Sequence, residues 1–162
     1  MSVKRAAIVG WGDVATVHRE AIDAIEGVDL VGVVDIDPAR RAAATADLGV
    51  PAFATVTELV DAVQPDVVHI TTPHDQHISA TLEAARLGVH VIQEKPLAAH
   101  LDDAQRLVDA DLPAGVKVGI CFQNRYNVSS VELRRLLDSG ELGEIHGAYA
   151  SVVWTRTADY YR

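Results

Sequence analysis

The first stretch whose residue types could do chemistry is Gly10-Trp11-Gly12-Asp13-Val14-Ala15. It follows an apolar run at 6–9 and precedes a helical pattern. Gly10 suits a tight turn, Gly12 lets a diphosphate approach the backbone, and the small Ala15 lets helix and strand pack closely. The free N–H groups and positive dipole end of that helix would face the anion. Trp11 is large for its place, so its indole must point away from the phosphates. Such a loop alone is weak evidence, because glycines also occupy ordinary turns. Asp35 strengthens it, lying 20 residues after Ala15 at the end of the next apolar run, where a carboxylate can accept bonds from ribose hydroxyls. A carboxylate there repels a 2′-phosphate and favours NAD. Arg40 and Arg41 open the following helix and could reach such a phosphate, which leaves NADP open.

A second loop, Thr71-Thr72-Pro73-His74-Asp75-Gln76-His77, follows another apolar run. In a doubly wound sheet, ligands lie beyond the carboxyl ends of the strands, so this loop faces the same crevice. His74 and His77 are three apart, but no third ligand stands near them in sequence and the single cysteine, Cys121, is remote. Hydrogen bonding or helix capping is the reading preferred for them, and no metal site is expected. A third loop, Glu94-Lys95-Pro96, sits at the same sheet edge. A strand-end Lys against an apolar crevice is where desolvation can tune an ammonium for acid–base work. An X-Pro bond can also be cis and fix its direction. A surface Lys in an ordinary turn remains the competing reading.

The elements that must position these loops are legible as nearly continuous apolar runs at 6–9, 30–34, 67–71, 89–92 and 116–121, the signature of strands buried on both faces of a parallel sheet. Helical patterns lie between them at 14–25, 38–48, 57–63, 76–87 and 101–110. Asp37 before Pro38 reads as an N-cap. Thr55 with Glu58, and Ser129 with Glu132, have capping-box spacing. Gly27, Gly49, Gly88 and Gly140 fall where helices should stop. The class expected is α/β, a doubly wound parallel (Rossmann) sheet with right-handed crossovers.

At 162 residues with 49% hydrophobic and 23% charged residues, the chain is long enough for a packed core. A net charge of −9 without a basic stripe argues against nucleic acid and anionic membrane as partners. One cysteine permits no intrachain disulfide and points to a reducing, cytoplasmic setting. The end of the chain fits less comfortably. A helix at 131–138 is followed by strand character at 145–155, rich in aromatics. That strand either pairs back onto the sheet or, the preferred reading, begins a second domain. The expected organisation is 1–124 as the dinucleotide-binding domain and 125–162 as connecting helix and first strand of a substrate and dimerisation domain. Tyr149, Trp154, Tyr160 and Tyr161 predict self-association through that strand.

Gly10-x-Gly12 with His18, Asp35, Thr72-Pro73-His74-x-x-His77, Glu94-Lys95-Pro96 and Phe122-Gln123-Asn124-Arg125-Tyr126-Asn127 together resemble the Gfo/Idh/MocA family of oxidoreductases. The resemblance implies NAD(P)-dependent hydride transfer at a hydroxyl-bearing carbon of a sugar, cyclitol or related polyol. It also implies that Thr71, Thr72, Pro73, His74 and His77 line the cofactor cleft with residues 10–15 and Asp35. Glu94 would contact the nicotinamide side, with Pro96 beside it, and Lys95 would be the active-site lysine at the reacting oxygen. Gln123 and Arg125 would stand near the nicotinamide end. Family members usually run past 300 residues, and their substrate domain and its catalytic Asp/His pair have no counterpart here. A non-catalytic dinucleotide-binding module is therefore the alternative. Binding of S-adenosylmethionine would fit the first loop but leave Glu94-Lys95-Pro96 unexplained.

Overall fold

The structure, a computed structural model, describes residues 3–158. Its elements run β1 (Lys4–Val9), α1 (Asp13–Asp23), β2 (Val28–Val34), α2 (Pro38–Leu48), β3 (Ala52–Phe53), α3 (Val56–Val63), β4 (Val67–Ile70), α4 (His77–Arg86), β5 (His90–Glu94), α5 (Leu101–Val108), β6 (Val118–Cys121) and α6 (Val128–Ser139). The strands form one sheet in the order β3-β2-β1-β4-β5-β6, and neighbouring strands pair in parallel. The described residues part into two compact units between Phe122 and Gln123. Among them, no helix is long and apolar enough to cross a membrane.

The apolar runs become strands because helices cover both faces of the sheet. On one face Ala7, Val9, Val68, Ile70 and Val91 pack with Val56 and Leu59 of α3 and Ala84 and Ala85 of α4. On the other, Ala6 and Ile8 pack with Ala15 and Ile22 of α1, and the Trp11 indole lies against that cluster. The large residue between the glycines is thereby held in the core layer under α1. Strand order reverses between β1 and β4, which opens a crevice at their carboxyl ends, the usual ligand position in such sheets.

The caps show how the sequence sets these boundaries. Asp37 accepts from Ala39 N at 2.8 Å and starts α2 at Pro38. Thr55 Oγ1 accepts from Glu58 N at 3.1 Å, while Glu58 Oε2 reaches past Thr55 to Ala54 N at 2.9 Å. Two expectations are corrected. Ser129 is not a cap, since α6 starts two residues earlier than that cap requires, at Val128, with Asn127 in the N-cap position. Glu132 instead pairs with Arg135 at 2.9 Å. Residues 145–155 form no strand: no ladder includes them among the described residues, and Tyr149, Val153 and Trp154 stand exposed. Extended chain becomes a strand only where its N–H and C=O groups meet a neighbour. Arg156 lies over the Trp154 ring at 4.1 Å. Tyr160 and Tyr161 lie outside the described residues.

Candidate functional site at the β1–β4 crevice

Gly10 leaves β1 with a φ of +95°, and its N–H donates to Val34 O at 2.7 Å. A Cβ on it would lie 2.9 Å from Thr72 N and 3.0 Å from the Thr71 carbonyl carbon, so two backbones meet here closer than any side chain allows. Thr71 Oγ1 donates back to Gly10 O at 2.6 Å and locks the contact. Gly12 is different. Its φ of −110° suits any residue, and a Cβ would meet only Arg40 Nη1, 4.0 Å away. The protein itself does not demand glycine at 12; open space before the backbone is what an approaching diphosphate would use. Gly12 gives α1 no side-chain cap, and while Ala15 N donates to Gly12 O at 3.0 Å, the Asp13 and Val14 amides keep donors directed out of the helix end.

Asp35 ends β2 nearly fully buried, at 5% exposure. Its Oδ2 accepts from Trp11 N at 2.7 Å and its Oδ1 from Asp37 N at 2.8 Å, which binds the glycine loop to the end of β2. A carboxylate oxygen has a second lone pair, so both remain able to accept from a hydroxyl. Gly10, Asp35, Arg40, Thr71, Thr72 and Pro73 line one cavity of about 320 Å³. Ile36, Ala54, Thr55 and Glu83 line it too and were not foreseen, because their places depend on the two-residue β3 and on where α3 and α4 begin. Thr72 Oγ1 is buried without a hydrogen-bond partner. Leaving a buried hydroxyl unpaired costs about 1–3 kcal/mol. Arg41 is committed to Asp35 O at 2.8 Å and Ile36 O at 3.0 Å, so of the two arginines it is Arg40 that faces the cavity.

The second and third loops are tied to each other. Buried His77 sets Nε2 3.0 Å from Thr72 O and Nδ1 2.8 Å from Pro96 O, turning both nitrogens to backbone carbonyls rather than toward a shared ion with His74. His74 is exposed, its ring edge-on to His77 at 5.4 Å. Fully buried Gln93 donates to Leu97 O at 2.7 Å and accepts from Thr81 Oγ1 at 2.8 Å, so the Glu94-Lys95-Pro96 turn hangs on a side chain the sequence reading passed over. Its signal is a glutamine directly after the apolar run at 89–92. The Lys95–Pro96 bond is cis. Lys95 itself is exposed, and the apolar, desolvating surroundings expected for it are not built by these residues. Gln123 and Arg125 belong to the second unit, in a short 3-10 turn at Gln123–Tyr126.

Beside this edge lies a buried chain of hydrogen bonds. His18 Nε2 is 3.1 Å from Glu94 Oε1, and His18 Nδ1 is 2.8 Å from His69 Nδ1. Burial, and then the neighbouring His18, push the His69 imidazole down to about 4 from 6.5. Above pH 6.5 the ring is neutral folded or unfolded. As pH falls from 6.5 to 4, the unfolded chain takes up the proton and the folded one does not, so stability drops, by an amount approaching about 3 kcal/mol for a shift of this size. Urea unfolding from pH 7 to 4 should show that acid limb, and His69→Phe should flatten it. An unchanged slope in the variant would exclude His69 as its source.

A crevice at the strand-order reversal, with a glycine turn, an uncapped helix start and a strand-end carboxylate, defines a dinucleotide-binding Rossmann domain. The family described as an oxidoreductase family with an NAD-binding Rossmann fold, Gfo/Idh/MocA, matches residues 4–122. The chain belongs to that family. It is 32% identical to an inositol 2-dehydrogenase of Salmonella paratyphi B over 152 residues, 90% of this chain and 45% of the relative. It is 32% identical to glucose-6-phosphate 3-dehydrogenase of Bacillus subtilis, covering 88% of this chain and 40% of that enzyme. The WlbA dehydrogenase of Bordetella pertussis, solved with NADH and UDP-GlcNAcA, superposes with a TM-score of 0.90 at 31% identity, over 98% of this chain and 49% of that one. The chain thus spans less than half the length of these relatives.

Proposed function

We propose that this chain is the cofactor-binding part of an NAD-dependent oxidoreductase acting on a hydroxyl carbon of a sugar, cyclitol or related polyol. The observation that carries the reading is the meeting of Gly10, Asp35 and Thr72 around one cavity. When bound, the nicotinamide would supply the hydride acceptor. The chain's own residues hold and orient: the loop from Gly10 to Ala15 faces the diphosphate with the amides of Asp13 and Val14, Asp35 takes ribose hydroxyls, and Thr72, Pro73 and His77 shape the wall. Lys95, fixed in direction by the Gln93-anchored turn, donates to the reacting oxygen, with Glu94 and Pro96 beside it. The relatives support this, being an inositol and a sugar-phosphate dehydrogenase by name. So does a scyllo-inositol dehydrogenase of Lactobacillus casei solved with NAD(H) and scyllo-inositol, at 26% identity and a TM-score of 0.77 over 89% of this chain and 43% of that one.

The same reading assigns 1–124 to the dinucleotide domain and 125–162 to the start of a substrate domain, with self-association through the segment bearing exposed Tyr149 and Trp154 and a cytoplasmic setting. Calorimetry of the 162-residue chain should give micromolar-class binding of NAD⁺ or NADH, and weaker binding of NADP⁺ because Asp35 opposes a 2′-phosphate that Arg40 only partly offsets. Absence of heat with every nicotinamide nucleotide would remove the proposal.

A further inference from the structure

We propose that His18, Glu94 and Cys121 form a binding site for a divalent transition-metal ion of the zinc type. The ligand atoms of these three residues lie within 4.8 Å of one another. Around a tetrahedral ion with bonds of about 2.0–2.3 Å, neighbouring ligand atoms stand roughly 3.3–3.8 Å apart, so only a small inward movement is needed. Imidazole nitrogen, carboxylate oxygen and thiolate sulfur suit zinc or cobalt. Calcium and magnesium, which take oxygen ligands, fit poorly.

The three side chains are brought together by the sheet. Glu94 and Cys121 are the last residues of β5 and β6 and are register partners across that pair. His18, on the buried face of α1, lies against Glu94. The surrounding contacts also suit ligation. An imidazole binding through Nε2 must carry its proton on Nδ1 and donate it outward, and His18 Nδ1 already has His69 Nδ1 as a partner at 2.8 Å. Glu94 Oε2 accepts from Lys95 N at 3.1 Å, which leaves Oε1 turned toward His18 as the ligating oxygen. On binding, the ion takes the place of the proton that His18 Nε2 shares with Glu94: His18 gives up its Nε2 proton and takes one on Nδ1 from His69, His69 takes one on Nε2 in exchange, and the Cys121 thiol releases its proton to solvent. His18 is buried, whereas Glu94 and Cys121 are half-buried, so a fourth position stays open to water or an exogenous ligand.

Titration of the reduced full chain with Co²⁺ under anaerobic conditions tests it. The expected result is one Co²⁺ per chain, with a sulfur-to-cobalt charge-transfer band in the near ultraviolet that Zn²⁺ bleaches by displacement. Cys121→Ser must lose that band, and Glu94→Gln, a variant of nearly equal size, must weaken Co²⁺ binding by at least about tenfold. His146→Ala, at an exposed histidine of the second unit, must change neither. Circular dichroism confirms that each variant is folded. Binding without a thiolate band, a band that survives Cys121→Ser, or Co²⁺ affinity lost equally in His146→Ala would overturn the proposal.

Discussion

Gly10→Ala is expected to destabilise the first unit by about 2–5 kcal/mol and to abolish dinucleotide binding. A non-glycine residue at positive φ costs about 1–2 kcal/mol, and pushing a methyl into well-packed surroundings costs about 1–3 kcal/mol more. Here the φ is +95°, and the obstacle is Thr72 backbone at 2.9 Å rather than a flexible side-chain tip. Relief requires moving either the glycine loop or the Thr71–Thr72 turn, and both line the cavity. Gly12→Ala makes the contrast. Nothing but Arg40 lies within 4 Å of a Cβ there and the backbone is relaxed, so stability should hold while affinity falls. Urea unfolding and calorimetry on both variants separate a fold requirement at 10 from a ligand requirement at 12. Gly10→Ala as stable as the parent chain, with NAD binding intact, would refute the account of the turn.

The contrast also marks what sequence can carry. The glycine pattern located the loop, but only the coordinates divide its two glycines between packing and open space. Signals confined to a few neighbouring residues transferred well: Pro38 and Leu48 bound α2 as expected, because an Asp-Pro start and a glycine stop are local chemistry. β3 was invisible since it is two residues long and exists only by pairing with Val33 and Val34. The apolar run at 145–155 had the composition of a strand but, among the described residues, no neighbour to pair with. The strand-end place of Lys95 leaves a desolvated ammonium and a surface turn equally open, because burial is a property of what covers that edge. In sequence Cys121 is remote from His74 and His77. Parallel pairing sets it beside Glu94, 27 positions earlier in the chain, and α1 contributes His18 from 76 positions before Glu94. Such clusters form at strand ends by sheet order, which local pattern does not encode.

Asp35→Asn is expected to destabilise the protein by about 3–5 kcal/mol, lower NAD affinity by about 100-fold or more, and shift the NADP:NAD preference upward. The substitution preserves shape and fails on hydrogen-bond roles. The carboxylate accepts two backbone N–H groups, one on each oxygen, at 2.7 and 2.8 Å. An amide has one accepting oxygen, and its NH₂ would confront the other N–H donor against donor. The loss is one charge-assisted bond, about 1.5–3 kcal/mol, plus a part-buried amide left unpaired at about 1–3 kcal/mol. If the amide oxygen stays on Asp37 N, Trp11 N is released, and with it the bond that ties the glycine loop to β2. If it turns to Trp11 N, the turn into α2 loosens, and Arg41, which holds Asp35 O and Ile36 O, shifts with it. In both arrangements the carboxylate that would grip the ribose is gone, while Arg40 remains at the cavity with less negative charge beside it. Urea unfolding gives the stability loss, and calorimetry with NAD⁺ and NADP⁺ gives the change in preference. A variant that unfolds within about 1 kcal/mol of the parent and binds NAD⁺ as before would show that Asp35 neither pins the loop nor takes the ribose.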